Sequence, residues 1–478
     1  LVKRKIYIRA DGSSQIGLGH LVRCLALAQM LERDFDCVFF CKEIPGELKL
    51  QIQENGFEVS IISSEDEFIG LLTKDIIVVL DHYNLDSDDQ KRVKDQGCLL
   101  VCIDDLHDKA FFADLIINHA PGILSSDYVA TAITQFALGL EYVLLRPTFL
   151  IQTGDTPIQK EADSVFVCFG GSDKKNITQK AVHILLADDR FKKIVIVTGT
   201  AYDYLQALEV SMTGDQRFQH YGSVSPEVIK SLMEASELAI VPASGILQEA
   251  LALGCKVISG MYIENQKNIF EKYRTLNSFI SANEFSNEDL KNAIDTFYTG
   301  AFQFGPRLID GKSGIRILKY FKQFQKEEET TLRKVEERDL LKTFEWANNA
   351  GIRSFFFNKD QVKFETHKNW FERKLSSKDC SYYIGELEGN VFGSIRFDIE
   401  ADKASISYLV DPEYQNQGLG TILLKKGLEV FRKELSEVKM VCGEVFLENL
   451  ASLKVFQKLG YTTEVDKKSN LITFYKEI

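Results

Sequence analysis

From Lys5 to about Arg146 short β-branched apolar runs, KIYIRA, CVFFC, DIIVVLDH, LLVCIDD and DLIINH, alternate with longer stretches of helical period. Such alternation predicts βαβ units on a parallel sheet, whose strands are buried on both faces and so read as nearly continuous apolar runs. After LLRPTFL and a polar stretch, SVFVCFGGSDKKN restarts the scheme, and KIVIVTG, LAIVPASG and KVISGMY continue it. The pattern predicts two α/β lobes, each with a glycine-bearing turn directly after its first strand. Ligands of open α/β sheets bind at the carboxyl ends of the strands, which places a cleft between the two lobes.

A third unit follows KYFKQFQKEEETTLRKVEERD, Lys319 to Asp339, whose charge predicts an exposed helix end and linker with a boundary near Glu328 to Leu332. Beyond it, YYIGELEGNVFGSIRFDI predicts two strands joined by a Gly-Asn-containing turn. KASISYLVDPEYQNQGLGTILLKKGLEVF predicts a strand running through a glycine turn into a helix. The expected domains are residues 1–150, 151–328 and 332–478. With 478 residues at 45% hydrophobic, the chain exceeds what one core needs.

Charge narrows the partners. A net charge of -12 and a pI near 5.3 argue against nucleic acid and anionic membranes, which call for clustered Lys and Arg. The nine cysteines form no C-x-x-C pair and no Cys/His cluster at zinc spacing, so reduced thiols and no metal are expected. LVKRKIYIRA leads into a strand without an apolar leader, and no run of about 18 apolar residues occurs. A cytoplasmic protein without a membrane partner is expected; oligomeric state is not legible.

The chemistry begins at Gly17-Leu18-Gly19-His20. The glycines allow a tight turn and close approach of a ligand, and the helix N–H groups that follow attract an anion. The positive helix end favours a neutral imidazole, the form that accepts a proton, so His20 reads either as a general base or as a residue that packs the turn. In the second lobe Gly170-Gly171-Ser172-Asp173 closes a strand ahead of a helix, a further place for a pyrophosphate. Ser244 and Gly245 start a helix carrying Glu249, which can accept both hydroxyls of a ribose or merely complement the helix dipole, and Glu264-Asn265-Gln266 follows the next strand. Asp81, His82 and Tyr83 end a strand and point toward the cleft, with Tyr83 the candidate sugar or water contact; Asp104 and Asp105 read as turn caps. His107 and His119 read as loop residues, and His183 as packed on an apolar helix face.

In combination these motifs resemble the GT-B architecture of nucleotide-sugar enzymes. More closely, RADGSSQIGLGHLVRCLALA, DHYNLD, CIDDLHD, ADLIINH, GLEYVLLRPTF, FGGSDKKN and ENQ resemble the PseG-type UDP-sugar hydrolases of pseudaminic acid biosynthesis, over roughly the first two thirds of the chain. The resemblance implies hydrolysis of UDP-2,4-diacetamido-2,4,6-trideoxy-β-L-altropyranose to free sugar and UDP, with inversion. It implies His20 activating or positioning the water, Asn265 at the sugar–phosphate region, the Gly170-Gly171 turn and Ser172 holding the pyrophosphate, and Glu249 the ribose. Tyr83 joins His20 and Asn265 as a candidate catalytic residue, and Gly17, Gly19, Ser244, Gly245 and Gln266 complete the candidate substrate and UDP contacts.

The last third, on ISYLVDPEYQNQGLGTILLKKGLE and ENLASLKVFQKLGY, resembles the GNAT acetyltransferases. The expected fold is therefore α/β, two Rossmann-like lobes in GT-B arrangement followed by a GNAT α+β domain. The likeness implies acetyl-CoA as co-substrate, held by Gln415, Gln417, Gly418, Gly420 and Thr421 at the glycine turn, by Leu409 and Val410 along the strand, and by Asn449 and Ser452. Phe456 stands where many GNAT enzymes carry a tyrosine that protonates the departing thiolate. Trp346, Asn348, Arg353, His367 and Trp370 lie toward the acceptor side, with His367 and Trp370 on one helix face or, on the plainer reading, an aromatic core contact and a surface histidine.

Together the two resemblances imply a bifunctional enzyme that N-acetylates UDP-4-amino-4,6-dideoxy-N-acetyl-β-L-altrosamine and hydrolyses the product. The alternatives are a GT-B glycosyltransferase, a hydrolase of a related UDP-sugar, and a GNAT domain that only binds acetyl-CoA or a partner.

Overall fold

The apolar runs of the first lobe become strands of one parallel seven-stranded sheet, in the order Glu58–Ile61, Phe35–Cys41, Arg4–Ala10, Ile77–Asp81, Leu99–Ile103, Leu115–Asn118, Gln135–Leu138. The computed structural model describes residues 3–13, 18–150, 159–199, 201–435, 437–466 and 470–478. The two outermost strands escape the sequence pattern because each is a four-residue edge strand, only partly buried. Strand order reverses between Arg4–Ala10 and Ile77–Asp81, so the carboxyl ends of these two neighbours diverge into a crevice, the usual seat of a ligand.

The second lobe repeats the plan with six parallel strands, ordered Phe218–Gly222, Lys193–Thr198, Glu161–Cys168, Ser236–Pro242, Lys256–Gly260, Ile280–Ser281. Its reversal lies between Glu161–Cys168 and Ser236–Pro242, whose carboxyl ends carry the Gly170 and Ser244 turns. Backbones pass so closely here that a Cβ on Gly199 would stand 2.4 Å from the Cα of Gly171. The lobes share a core: Leu140, Val143, Leu145 and Leu150, from the segment that leaves the first sheet, pack with Phe166, Val241, Leu247 and Phe270 of the second lobe.

His183 corrects one expectation. Helix Ile177–Leu186 buries Ile177, Thr178, Ala181, Val182 and Leu185, and His183 falls just outside that stripe, exposed to solvent.

The charged stretch after Lys319 holds the expected helix end, but regular structure continues directly beyond it. Helix Ser313–Glu329 runs through it and abuts strand Thr330–Lys334, burying Ile317, Phe321 and Phe324 at helical spacing, while Lys319, Lys322, Glu328 and Glu329 are exposed and Glu327 pairs with Lys425. The chain divides inside this helix into compact units Leu1–Lys319 and Tyr320–Ile478.

The second unit holds a seven-stranded sheet, ordered Thr330–Lys334, Cys380–Leu387, Asn390–Glu400, Lys403–Val410, Met440–Phe446, Leu471–Glu477, Thr462–Asp466. Its first hairpin turns on Glu388 and Gly389, both at positive φ, rather than on Gly-Asn, because a two-residue type I′ turn needs positive φ at both central positions and Asn390 already starts the next strand. All strand pairs are antiparallel except Lys403–Val410 with Met440–Phe446, which pair in parallel only from Lys403/Met440 to Ser405/Cys442. Past that point no ladder joins the two strands among the described residues, and a cavity of about 1060 Å³ takes in residues of both.

No described helix is long and apolar enough to cross a membrane.

Candidate active sites

Helix Gly19–Leu31 begins at the carboxyl end of the central strand, and His20 enters it 4% exposed. Its Nδ1 lies 2.6 Å from Oδ1 of Asp81, the fully buried last residue of the neighbouring strand. One helical turn on, Arg23 donates through Nε and Nη2 to both Asp81 oxygens at 2.6 Å each, and through Nη1 to Asp105 at 3.0 Å. The Tyr83 hydroxyl donates to the same Asp105 oxygen at 3.1 Å, and its ring stands edge-on to His20 with centroids 4.5 Å apart.

Burial pushes the Asp81 carboxyl up, but the Arg23 guanidinium and the His20 bond outweigh it and hold the group well below the usual carboxylate range. Asp81 is thus an ionised acceptor, which makes Nδ1 of His20 the donor of their bond and leaves Nε2 as the nitrogen that a neutral ring would offer as acceptor. An imidazole oriented by a buried carboxylate in this way can take a proton from water. Burial and Asp105 push the Tyr83 phenol up to about 12, so it stays a donor. His119, placed by sequence among loop residues, joins this cluster: burial and Arg23 push it down to about 4, and its Nδ1 has no partner among the described residues.

The structure brings His20 and Tyr83 together as expected, whereas Arg23 and Asp105 were missed. Asp105 does not cap a turn; Asp104 does, accepting from the His107 N–H at 2.8 Å and the Tyr128 hydroxyl at 3.0 Å. The signal for Arg23 was its spacing, three residues after His20 on one helix face and opposite strand-end acids. Gly17 lies outside the described residues. Gly19 has open space where a Cβ would stand. The start of the glycine turn is pinned by Arg9, 1% exposed between Asp11 at 2.8 Å and Glu65 at 2.7 Å, while Asp11 accepts the N–H groups of Lys42 and Glu43.

In the second lobe the helix after Ser172 is closed to an anion. Asp173 accepts the N–H groups of Ile177 at 2.9 Å and Thr178 at 2.7 Å, so only the turn Gly170-Gly171-Ser172 itself remains for a phosphate. Ser244 makes no side-chain cap, and Gly245 starts helix Gly245–Ala252. Glu249, buried one turn in, accepts from Arg146 Nε at 2.9 Å and Nη2 at 2.7 Å, both on Oε1. Burial raises the Glu249 carboxyl and Arg146 opposes it. Oε2 receives no hydrogen bond among the described residues and is free for a hydroxyl. Gln266 turns inward instead, its Oε1 accepting the Tyr262 N–H at 2.9 Å, while the Tyr262 hydroxyl donates to the Phe169 carbonyl at 3.0 Å. The Asn265 side chain lies outside the described residues.

The cavity of the second unit takes in Leu409, Val410, Gln415, Gly418, Gly420, Thr421, Asn449 and Ser452. Gly418, at φ 81, precedes helix Leu419–Glu434, whose first N–H groups lack intrahelical acceptors, and the unpaired edge past Ser405 can bond an extended amide chain. Both features fit the pyrophosphate and pantetheine of acetyl-CoA. Gln417 is not in the wall; it accepts from Lys326 Nζ at 3.0 Å and donates to the Glu413 carbonyl. Trp346 and Asn348 are structural, Trp346 donating to Asp411 at 2.7 Å and Asn348 bonding both backbone groups of Val362. Arg353, His367 and Trp370 do line the cavity, and His367 is no surface residue: it is 5% exposed and bonds Thr343 Oγ1 at 3.1 Å.

Over 271 residues, 55% of this chain and 94% of the relative, the sequence is 30% identical to the UDP-2,4-diacetamido-2,4,6-trideoxy-β-L-altropyranose hydrolase of Campylobacter jejuni. The chain belongs to this UDP-sugar hydrolase family. Its hydrolase region is also 23% identical over 273 residues to the spore coat polysaccharide biosynthesis protein SpsG of Bacillus subtilis, covering 54% of this chain and 78% of that one. An uncharacterized protein of Methanocaldococcus jannaschii is 24% identical over 96% of both chains, so the two-part plan of this hydrolase recurs. Residues 343–461 match the acetyltransferase (GNAT) family. The hydrolase is thus fused to a GNAT-type domain.

Among the described residues of this UDP-sugar hydrolase, no group of three or more His, Cys, Asp or Glu could hold a metal ion. In its GNAT domain, a valine at Gly418 would be forced into left-handed backbone, a strain of about 1–3 kcal/mol, at the turn offered to the pyrophosphate. Gly418→Val is expected to raise the KM for acetyl-CoA on the order of tenfold or more with UDP release unchanged, checked by steady-state kinetics of both half-reactions.

Proposed function

We propose that the GNAT domain transfers an acetyl group from acetyl-CoA to the amine of UDP-4-amino-4,6-dideoxy-N-acetyl-β-L-altrosamine. The hydrolase unit then cleaves the product, UDP-2,4-diacetamido-2,4,6-trideoxy-β-L-altropyranose, into free sugar and UDP. The order follows from the chemistry, since acetylating the amine creates the compound after which the Campylobacter relative is named.

The observation that carries the hydrolytic reading is the pair His20 and Asp81. His20 Nε2 takes a proton from water as its oxygen bonds the anomeric carbon, while the carbon–oxygen bond to UDP breaks on the opposite face and the configuration inverts. Asp81 holds the ring and stabilises the imidazolium, and Tyr83 and Asn265 contact the sugar. UDP carries its own low-pKa leaving oxygen, so the Gly170-Gly171-Ser172 turn, Ser244-Gly245 and the glycines at 17 and 19 need supply only charge stabilisation. Glu249 Oε2 receives a ribose hydroxyl, and Gln266 supports the loop beneath.

For the acetyl transfer, the cavity supplies the backbone edge at Leu409-Val410 and the Gly418 turn. Its lining carries Arg353, Arg373 and Arg396, the last paired with Asp398 at 2.8 Å, with Glu444 as the acid of the lining. This balance supports an acceptor bearing negative charge, as a UDP-sugar does, over a polycationic amine. Use of acetyl-CoA and the free state of all nine cysteines support a cytoplasmic setting.

The test supplies the diacetamido UDP-sugar with no other acceptor. Release of UDP and a free sugar whose first-formed anomer is inverted is expected; product appearing only after a sugar acceptor is added would identify a glycosyltransferase instead.

A further inference from the structure

Phe456 has no proton to give the departing thiolate, and its surroundings leave no room for one. The ring is 2% exposed, stacked on Phe474 at 4.8 Å and edge-on to Tyr461 at 4.9 Å, and its tip abuts Gly443, where a Cβ would stand 2.5 Å from Cζ. A proton that the enzyme gives the thiolate therefore comes from another element.

Three phenols line the cavity, and they divide along its length. Tyr382 faces Trp370 and Phe371 on the acceptor side. Tyr414 lies beside the glycine turn, its ring near Phe392. Tyr408 stands on strand Lys403–Val410, paired with Ile395 on one side and lying beyond Ser405, the last residue paired with Met440–Phe446, on the other, where the thioester end of a pantetheine would run. Its ring lies 6.0 Å from that of Phe456 and against the position of a Cβ on Gly420. Its hydroxyl donates to Ser452 Oγ at 3.1 Å, on the first turn of the helix that carries Phe456.

We propose that Tyr408 is the catalytic acid of the acetyl transfer, with Ser452 returning its proton. As the carbon–sulfur bond breaks, its electron pair goes to sulfur and the phenolic proton follows. Ser452 donates its hydroxyl proton to the phenolate and takes one from water, while the proton lost by the acylated amine leaves to water. The balance is amine plus thioester giving amide plus thiol. Burial holds the Tyr408 phenol up to about 12, so it is protonated whenever the amine is free to react. Tyr461, whose hydroxyl is also buried, does not line the cavity and has no access to sulfur.

This inference rests on the cavity being an acetyl-CoA site. In Tyr408→Phe, kcat for CoA release is expected to fall on the order of 10²-fold with the KM for acetyl-CoA within about twofold. A second readout needs no acceptor: the thiol of bound CoA is titrated by its ultraviolet thiolate absorbance in the full-length protein. Losing the phenol that stabilises the thiolate is expected to raise the apparent thiol pKa by about one unit. An unchanged kcat, or an unchanged titration in a variant that still binds CoA, overturns the role of Tyr408. A wild type that forms no amide from the amino sugar overturns the acceptor reading instead, and the thiol titration still decides Tyr408.

Discussion

Replacing His20 with glutamine is expected to lower UDP release from the diacetamido sugar about 10²–10⁴-fold while acetylation proceeds at the wild-type rate. Glutamine nearly fills the space and can still donate to Asp81, but it carries no nitrogen with a basic lone pair. The ring is held by a 2.6 Å bond to a fully buried carboxylate, so on the proposed mechanism no reorganisation precedes the proton transfer. The measurement is paired kinetics on one preparation, UDP by coupled assay and CoA by thiol release. A fall in both activities would point to misfolding, and a fall in neither would remove His20 from the chemistry.

Asp81→Asn is expected to destabilise the protein by about 3–5 kcal/mol as well as to reduce hydrolysis. The carboxylate is 0% exposed and takes two bonds from Arg23 and one from His20, and the Cys24 thiol donates to it at 3.4 Å. An amide leaves the Arg23 charge, whose side chain is only 15% exposed, facing a neutral group. The pH dependence has a definite sign. The folded carboxyl sits below its ordinary value, so its contribution is fully present above about pH 4, the unfolded range, and is lost as pH falls toward the folded value. Calorimetric unfolding of the full chain is expected to show wild type losing stability on acidification below pH 4 more steeply than the variant, the gap between them narrowing. A gap that stays constant would mean that Asp81 contributes by packing alone.

The sequence pattern already contained the parallel sheets and the order of the units, because doubly buried strands must be apolar throughout and glycine turns must follow them. It also held His20 and Tyr83, each placed at the end of a strand or the start of a helix. Arg146 and Asp105 were not legible, since their partners lie 103 and 82 residues away in the chain, and the spacing of Arg23 from His20 placed it on the right helix face without naming Asp81, 58 residues on, as its partner. The stretch from Lys319 to Asp339 reads as a helix end and linker because its charges stand out over the few apolar residues; the helix end is there, reaching Glu329, and what reads as linker starts with strand Thr330–Lys334. Gln266 was misread for a similar reason: a polar side chain after a strand reads as ligand-facing, but here it satisfies the backbone N–H of Tyr262.

The most direct measurement is a combined phosphorus and proton NMR time course with the UDP-4-amino sugar and the full-length protein, with and without acetyl-CoA. The expected result is that the amide forms only when acetyl-CoA is present and that UDP and free diacetamido sugar follow it. UDP released from the amino sugar without acetyl-CoA, or an acetylated UDP-sugar that accumulates without cleavage, would contradict two consecutive reactions on one chain.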